Sequence, residues 1–269
     1  MNICLVSYEY PPETFNGIGS YTRNLAEALV ALGEYVDVVT FTSKEPHDYT
    51  ENGVHVRRVN PVSIAGLWRF DALIPSKMIG FSIAVKNKIT EIAREKKLDI
   101  IEGPDIRAEL FWYLWTRAGR RKPPVVIKLH TPSYVVQRYN FKSLKSNERV
   151  QNFMEKYAIM RADYLTSPSQ SMAGVVAADY GFSPQRVKVL LNPLDTDTFR
   201  PDESLKPRDR INILFTGRTE KRKGVIPLAH AIPMILAKVQ NCEFIFVGED
   251  TTSGKGRASL REELKEYLR

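Results

Sequence analysis

The stretch VSYEYPPETFNGIGSYTRNLAEALVALG, residues Val6–Gly33, joins a predicted strand to a predicted helix. It begins with the apolar residues of a buried strand and ends with an amphipathic helix that Gly33 closes. Apolar residues recur along one face of that helix; they are Leu25, Ala28, Leu29 and Leu32. A strand followed by such a helix is the first unit of an α/β fold with a parallel sheet.

A long loop joins the strand to the helix, and it contains Pro11, Pro12 and a Gly17-x-Gly19 motif. The prolines are expected to hold the loop extended, and the glycines allow a ligand to approach the backbone closely. A helix start at Ser20 would offer free N–H groups to an anion. A dinucleotide-binding fingerprint requires a third glycine and a tight turn directly after the strand, so the pattern argues against a nicotinamide dehydrogenase. A glycine-capped helix entry without any ligand is the alternative.

The chain has 269 residues, of which 43% are hydrophobic and 26% charged, as in an ordinary globular protein with room for two domains. The sequence contains no apolar run of the roughly eighteen residues that a membrane-spanning helix needs, and its first residues lack the basic start of a signal peptide. Cys4 and Cys242 lie in separate predicted strands, as expected for buried thiols in a reducing compartment. We therefore expect a cytoplasmic protein.

The net charge is +8 at pH 7, and nine Lys or Arg residues lie between Arg117 and Arg149 against one acid, Glu148. A basic excess favours an anionic partner such as phosphate, nucleic acid or an acidic membrane surface. Two interpretations of this segment stay open, a solvated face and a face that holds the protein peripherally against the inner, anionic face of a membrane. The segment matches no nucleic-acid module and has few aromatic residues for base stacking, so no nucleic-acid partner is expected.

Short apolar runs alternate with longer amphipathic segments along the whole chain. The predicted strands are Ile3–Ser7, Val36–Thr40, Val54–Val59, Ile100–Glu102, Val125–Leu129, Tyr164–Thr166, Val187–Leu190, Asn212–Thr216 and Phe244–Val247. Most of them are separated by helical patterns, including one that Ser169 caps and one that begins at Gly224. This alternation predicts an α/β fold with a mostly parallel, doubly wound sheet.

The stretch LNPLDTDTFRPDESLKPRDR has three prolines and little periodicity, which is typical of a linker. We expect a Rossmann-like N-terminal domain over residues 1–191, an interdomain linker over 192–210, and the beginning of a second Rossmann-like domain over 211–269. The second domain has few elements and the sequence stops in mid-helix, so we expect this domain to be incomplete. Within the linker, Asp195-x-Asp197 could bind a divalent metal, but formation of a turn is the favoured interpretation.

Two strand ends carry candidate ligand-binding residues. In VVIKLHTP, His130 follows a buried strand at the edge that faces the ligand crevice of open α/β sheets. In ILFTGRTEKRKGV, Gly217 turns the chain after a strand and Gly224 opens a helix. Arg218 and Lys223 lie between these glycines, and the combination predicts a cradle for a diphosphate. A structural histidine and a basic surface turn are the respective alternatives.

These motifs together resemble the N-terminal part of a retaining glycosyltransferase of family 4, which has the GT-B fold. The matching stretches are YEYPPETFNGIGSYTRNLAEAL, LHTP, RADYLTSPSQSMA, VKVLLNPLDTDTFRP and ILFTGRTEKRKGVIPLAHAI, and they extend over nearly the whole chain. The resemblance implies that the first domain binds the acceptor, that the second binds a nucleotide sugar, and that the reaction takes place in the cleft between them.

The resemblance also implies a role for individual residues. His130 is similar to the family's cleft histidine near the reacting carbon and is the expected catalytic residue. The expected donor-binding residues are Gly17, Gly19, Asn192, Gly217, Arg218, Lys223 and Gly224. Members of the family have two glutamates eight positions apart that bind the donor sugar and nucleotide. This sequence contains no two glutamates with that spacing. No metal site is expected, because the histidines are dispersed and the cysteines unpaired.

The implied activity is transfer of a sugar from a nucleotide-diphosphate sugar to an acceptor hydroxyl, with retention of anomeric configuration. We expect a hexosyl-type enzyme of polysaccharide, glycolipid or glycan biosynthesis, with a carbohydrate or lipid-linked acceptor and no cofactor. Because the glutamate pair is missing, the 269-residue chain is expected to be inactive by itself. The alternatives are another GT-B enzyme, such as a sugar epimerase or a phosphorylase, and a non-catalytic nucleotide- or nucleic-acid-binding protein.

Overall fold

The computed structural model describes residues 1–14, 16–117, 122–141, 143–202 and 210–268. The chain divides into two compact units. The first comprises Met1–Ser133 with Lys145–Phe199, and the second comprises Tyr134–Leu144 with Arg200–Arg269. The proposed boundaries at residues 191 and 210 stay a prediction, because the linker includes residues outside the described part.

The first unit is built on one eight-stranded sheet. Its strands are β1 (Asn2–Ser7), β2 (Tyr35–Phe41), β3 (His47–Glu51), β4 (Val54–Val59), β5 (Ile100–Pro104), β6 (Val125–Lys128), β7 (Tyr164–Ser167) and β8 (Val187–Val189). Their spatial order is β3-β4-β2-β1-β5-β6-β7-β8. All neighbours are parallel except β3 and β4, which are antiparallel. The order reverses between β1 and β5, which is the topological switch point where open α/β sheets bind ligands.

Helices cover the sheet of the first unit. They are α1 (Gly17–Ala31), α2 (Ser76–Glu95), α3 (Phe111–Thr116), α5 (Ser146–Arg161) and α6 (Gln170–Tyr180), while α4 (Ser133–Asn140) continues into the second unit. Apolar residues of the strands separate into two buried clusters. One cluster contains α1, and the larger one contains α2, α3, α5 and α6, so both faces of the sheet are buried, as expected for parallel strands.

The second unit contains a two-stranded parallel sheet of β9 (Ile211–Thr216) and β10 (Cys242–Val247). Helices α7 (Val225–Leu236) and α8 (Leu260–Tyr267) pack together through Val225, Ala229, Leu260 and Leu264. The ends of the two strands meet closely, because a Cβ atom on Gly248 would lie 1.9 Å from the carbonyl oxygen of Gly217. Gly248 also has a φ of 152°, so this position requires glycine.

The predicted α/β architecture with a mostly parallel, doubly wound sheet is confirmed. Each predicted strand is present within two residues of its predicted ends. Sequence analysis missed β3, a polar strand at the edge of the sheet, and the helices α3, α4 and α5. Cys4 and Cys242 are both buried and free, as predicted. Among the described residues, no helix is both long and apolar enough to cross a membrane.

The loop that follows β1 is folded, so the prediction of an extended loop was wrong. The N–H of Thr14 donates to the carbonyl oxygen of Tyr10 at 3.3 Å and closes a turn around Pro11 and Pro12. The N–H of Tyr10 in turn donates to Oγ1 of Thr14 at 2.9 Å. Proline limits φ only at its own position, and hydrogen bonds between its neighbours decide whether the chain turns.

A buried arginine on β4 holds this loop against the sheet. Arg58 is 1% exposed, and its guanidinium donates to the carbonyl oxygens of Phe41 (3.0 Å), Tyr10 (3.3 Å) and Pro11 (2.7 Å). The carboxylate of Glu13, on the same loop, lies 3.6 Å from Nε of Arg58. Arg58 therefore supplies a donor to the Pro11 carbonyl group of the turn and a second donor to that of Tyr10.

We expect Arg58→Met to lower the free energy of unfolding by roughly 3–5 kcal/mol, the range for breaking a buried ion pair. The carbonyl groups of the loop would lose their donor and Glu13 its cation. Urea denaturation measures the loss, and Arg94→Met, which removes an exposed arginine of α2, is the control and should change stability by less than about 0.5 kcal/mol. Equal losses in the two variants would contradict this role for Arg58.

Candidate functional site

At the switch point of the first unit, buried carboxyl groups bind the backbone where strands end. Glu109 is 2% exposed, and its two carboxylate oxygens each lie 3.0 Å from the N–H of Tyr8, the residue after β1. Asp105 is fully buried, and its Oδ1 accepts from the N–H groups of Ile106 (2.8 Å) and His130 (3.1 Å). Burial raises the pKa of both carboxyl groups to about 8. These contacts join the ends of β1, β5 and β6.

A third buried carboxyl group, Glu155 of α5, also accepts hydrogen bonds from backbone N–H groups near these strand ends. Its oxygens accept from the backbone N–H groups of Arg107 and Ser133, each at 2.8 Å. They also accept from Oγ of Ser133 at 2.7 Å and from Nε2 of Gln151 at 2.9 Å. Burial raises the pKa of Glu155, while these hydrogen bonds favour its ionised form. The turn after β5 and the start of α4 are thus fixed by one side chain.

His130 lies directly beyond β6, as predicted, and it is partly buried. The edge of its ring faces Tyr21 of α1, with ring centroids 4.8 Å apart. Burial and the charge of the nearby Lys128 lower the pKa of His130 to about 3. The imidazole is therefore neutral near pH 7, so it can donate one hydrogen bond and accept another, but it carries no proton to give as a strong acid.

Charged groups behind His130 form a compact arrangement around Tyr21. The Tyr21 hydroxyl lies 2.6 Å from Oε1 of Glu102, and Nζ of Lys128 lies 5.0 Å from the centre of the Tyr21 ring. Lys128 is 1% exposed and donates to the carbonyl oxygen of Leu190 at 2.7 Å. Burial lowers the pKa of Lys128 and raises that of Glu102. These side chains, with His130, line a small cavity between α1 and the strands.

Gly17 and Gly19 lie in the first turn of α1, which begins at Gly17 and not at the predicted Ser20. The N–H of Ser20 already donates to the carbonyl oxygen of Asn16 at 2.9 Å, so the glycines belong to the helix. The side chain of Asn16 does not cap this end, which leaves first-turn N–H groups available. A Cβ on Gly19 would lie 3.0 Å from the carbonyl oxygen of Glu9, whereas a Cβ on Gly17 would meet no atom within 4 Å.

The two glycines differ in their surroundings, so packing explains only one of them. Gly19 allows the loop after β1 to fold back over the helix, which is a packing requirement. Gly17 is exposed and a Cβ there would meet no atom, so packing does not explain a glycine at this position. Asn192, the other donor-binding candidate in this unit, is exposed beyond β8, and Asn24 of α1 donates to the neighbouring Pro193 carbonyl oxygen at 3.2 Å.

In the second unit, the turn from β9 to α7 carries Gly217, Arg218, Lys223 and Gly224. Gly217 and Gly224 have φ values of 135° and 77°, which glycine adopts without strain. Arg218 and Lys223 are both exposed. Gly224 immediately precedes the N-terminus of α7, which has no side-chain cap. The turn therefore presents two cations and free N–H groups, but their role in binding stays a prediction.

Glu220, which sequence analysis did not select, organises this turn. It is 2% exposed, and its Oε1 lies 2.7 Å from a guanidinium nitrogen of Arg222 and 3.5 Å from one of Arg218. Its Oε2 accepts from Nδ2 of Asn140 at 3.0 Å. Arg222 is committed to this internal pair. Among the described residues, Lys223 makes no ion pair, and the contact of Arg218 with Glu220 is long, at 3.5 Å.

The Asp195-x-Asp197 pair forms a turn, and part of the charge of the basic segment is buried or paired. Asp195 accepts hydrogen bonds from the N–H groups of Asp197 (2.9 Å) and Thr198 (3.3 Å), as the favoured turn interpretation requires. No cluster of three or more potential metal ligands occurs among the described residues.

Within the basic segment, Lys128 is buried, and Arg117 is paired with Asp163. Arg120, Arg121 and Lys142 of that segment lie outside the described residues.

Sequence analysis missed Tyr21, Glu102, Asp105 and Lys128 as parts of the site around His130. Two of them could have been selected from the sequence, because Glu102 and Lys128 are charged residues inside strands that are otherwise apolar. A charge in a buried strand needs a partner or a function. Tyr21 left no such signal, since an aromatic residue on an amphipathic helix is ordinary.

The sheet order and strand-end sites place the chain in the GT-B class of α/β proteins, and comparison with solved structures agrees. The sucrose-phosphate synthase of Thermosynechococcus elongatus superposes with a TM-score of 0.67 and 19% identity, over 99% of this chain and 68% of that one. The expected GT-B-like fold is confirmed. The sequence profile of Glycosyltransferase Family 4 matches residues 15–198, more than half of the chain. The chain belongs to this family.

Two curated relatives are similar over most of the chain. An uncharacterised glycosyltransferase of Methanocaldococcus jannaschii is 26% identical over 92% of this chain and 63% of its own length. A glycogen synthase of Mycobacterium tuberculosis is 23% identical over 93% of this chain and 62% of its own length. The chain thus spans less than two thirds of these relatives.

We expect Gly19→Ala to lower the free energy of unfolding by about 1–3 kcal/mol, because the new methyl group would press on the Glu9 carbonyl. Gly17→Ala is the matched control; its methyl group enters open space, and it should change stability by no more than about 1 kcal/mol. Thermal and urea unfolding of both variants test this. Equal destabilisation by the two substitutions would contradict the assigned packing difference.

We expect Lys128→Met to raise the pKa of His130, because it removes the positive charge that disfavours protonation. Burial remains, so the pKa should stay below the ordinary value of 6.5. Since folding holds His130 neutral, the wild-type protein should also lose stability as pH falls from 6.5 towards 3. Titration of the imidazole by NMR measures the shift, with Lys97→Met as an exposed control. An unchanged pKa would show that Lys128 does not act on His130.

Proposed function

We propose that this protein transfers a sugar from a nucleotide-diphosphate sugar to an acceptor hydroxyl with retention of anomeric configuration. Membership of Glycosyltransferase Family 4 supports sugar transfer in general. The observation that carries the finer proposal is the turn after β9, where exposed Arg218 and Lys223 lie next to an uncapped helix N-terminus. A diphosphate is the ligand that best fits two flexible cations and free N–H groups.

The chemistry requires stabilisation of a departing diphosphate. As the bond to the sugar breaks, negative charge grows on the diphosphate and positive charge on the sugar ring. Arg218 can bind the diphosphate through its planar fork, and Lys223 can add a mobile charge. Buried Glu220 fixes the turn through Arg222 and Asn140, so the two cations are held on a prearranged backbone. We propose that these groups fulfil the role that a metal ion has in other transferases.

His130 is proposed to hydrogen-bond the transferred sugar. Its neutral imidazole can fix a sugar hydroxyl as donor or acceptor. The ring packs against Tyr21, and the backbone N–H of His130 is held by Asp105. Its low pKa argues against a role as proton donor near neutral pH. Gly17 is proposed to bring the first-turn N–H groups of α1 close to the same ligand.

The wider biological setting is proposed from the family. A hexosyl donor and a role in polysaccharide, glycolipid or glycan biosynthesis follow from that comparison alone. A lipid-linked acceptor would make contact with an anionic membrane useful, and the basic segment between Arg117 and Arg149 is the proposed contact. The buried Lys128 and the paired Arg117 reduce its free charge, so this part of the proposal rests on fewer cations than the sequence suggests.

We expect Arg218→Ala and Lys223→Ala each to weaken binding of a nucleoside diphosphate by roughly tenfold or more, since charged hydrogen bonds contribute about 1.5–3 kcal/mol. Calorimetry with UDP, ADP and GDP measures the change. Arg210→Ala is the control, because Arg210 precedes β9 and pairs with Glu243 at 3.0 Å. Unchanged affinity in both turn variants would overturn the diphosphate assignment.

Transfer itself is tested with a panel of nucleotide sugars and acceptors, using the complete protein in which this chain occurs. NMR of the product reports whether the new glycosidic bond keeps the donor's configuration. Transfer that depends on Arg218 and Lys223 supports the proposal. A product of inverted configuration contradicts it, and so does a protein that neither transfers nor hydrolyses any donor of the panel.

A further inference from the structure

Arg107, in the turn that follows β5, has a backbone conformation that residues with a side chain rarely adopt. Its φ is 63° and its ψ is 2°, and the next residue, Ala108, also has a positive φ of 47°. The left-handed region is unfavourable for both residue types, because Cβ approaches the backbone. Such conformations persist only where the surrounding structure enforces them, and they concentrate at functional sites.

The surroundings of Arg107 do enforce it. Its N–H donates to Oε1 of buried Glu155 at 2.8 Å, and the preceding N–H, that of Ile106, donates to buried Asp105 at 2.8 Å. Asp105, Ala108 and Glu109 around it are at most 2% exposed. The turn is therefore anchored on both sides, while the side chain of Arg107 itself is exposed.

An aromatic platform orients the guanidinium. Its central carbon lies 4.3 Å from the centre of the Tyr8 ring. Tyr8 stacks on Phe41 with centroids 4.4 Å apart and meets the edge of Phe81 at 5.0 Å, so the platform is rigid. Among the described residues, no carboxylate lies within ion-pair distance of Arg107. The structure thus presents an oriented cation that makes no ion pair with a described carboxylate, although its charge partly offsets the raised pKa of the nearby buried Glu109.

The position of this cation points to a ligand. Arg107 lies at the switch point between β1 and β5, at the sheet edge where α/β folds bind ligands. Asp105, which anchors its turn, also holds the N–H of His130 at 3.1 Å, so both residues belong to one framework. A guanidinium fork matches the paired oxygens of a phosphate or a carboxylate.

We propose that Arg107 binds an anionic group, a phosphate or a carboxylate, carried by the acceptor. The term acceptor rests on the proposed function, but the anion site does not. The anion has two possible sources, a soluble sugar phosphate and the headgroup of an anionic lipid. The same fork would bind either one, and the strained backbone is the feature that aims it.

The experiment measures anion binding in the 269-residue chain without any donor. Calorimetry with glucose 6-phosphate, with glucose as the uncharged comparison, tests the soluble source, and flotation with phosphatidylglycerol vesicles tests the lipid source. Arg107→Gln should weaken whichever interaction is present by about tenfold or more. Arg94→Gln, which removes an exposed arginine of α2, should leave it unchanged.

A second variant distinguishes loss of anion binding from loss of folding. Arg107→Gly suits the left-handed backbone, so the thermal midpoint should not fall, yet anion binding should be lost as in Arg107→Gln. The proposal is overturned if both variants bind as the wild type does, or if the wild type binds neither probe. A parallel loss of UDP affinity in Arg107→Gln would also overturn it, by assigning Arg107 to the donor. Failure of sugar transfer with anion binding intact would contradict the proposed function alone.

Discussion

Hydrogen bonds from backbone N–H groups to buried carboxyl groups fix the edge of the large sheet where β1, β5 and β6 end. Where parallel strands end, N–H groups lose their ladder partners and must find others. Glu109 accepts from Tyr8 after β1, Asp105 from His130 after β6, and Glu155 from Arg107 after β5. Burying these acids is unfavourable, as their raised pKa values show, and the hydrogen bonds offset that cost.

This framework makes the site rigid before any ligand arrives. His130 and Arg107 lie on short segments after their strands, and each segment is bound through its backbone, so the side chains remain available. The loop after β1 is fixed differently, through the buried Arg58 that donates to its carbonyl groups. Buried carboxyl groups thus accept from the backbone N–H groups at the strand ends. A buried guanidinium donates to the backbone carbonyl groups of the loop. Such preorganisation is what electrostatic catalysis requires.

The sequence predicted the strands well because parallel strands buried on both faces are continuous apolar runs. It missed β3 because that strand lies at the edge of the sheet, where four of its five residues are exposed and no apolar pattern forms. It also missed α5, whose apolar residues do not form a single clear stripe. It located His130 and the turn around Arg218 because both follow a strand directly, which is a local feature. The glycine pair was found because its spacing at the start of a helix is also a local feature.

By itself, the sequence determined the α/β class, the positions of the strand ends and the family to which the chain belongs. Those properties depend on neighbouring residues, whose spacing is visible along the chain. Only the tertiary structure decided which charges are free. Lys128 is buried behind His130, Arg222 is taken by Glu220, and Arg107 is left exposed on Tyr8. Whether a charge has a partner depends on residues far apart in sequence, such as Arg117 and Asp163, that come together only when the chain folds.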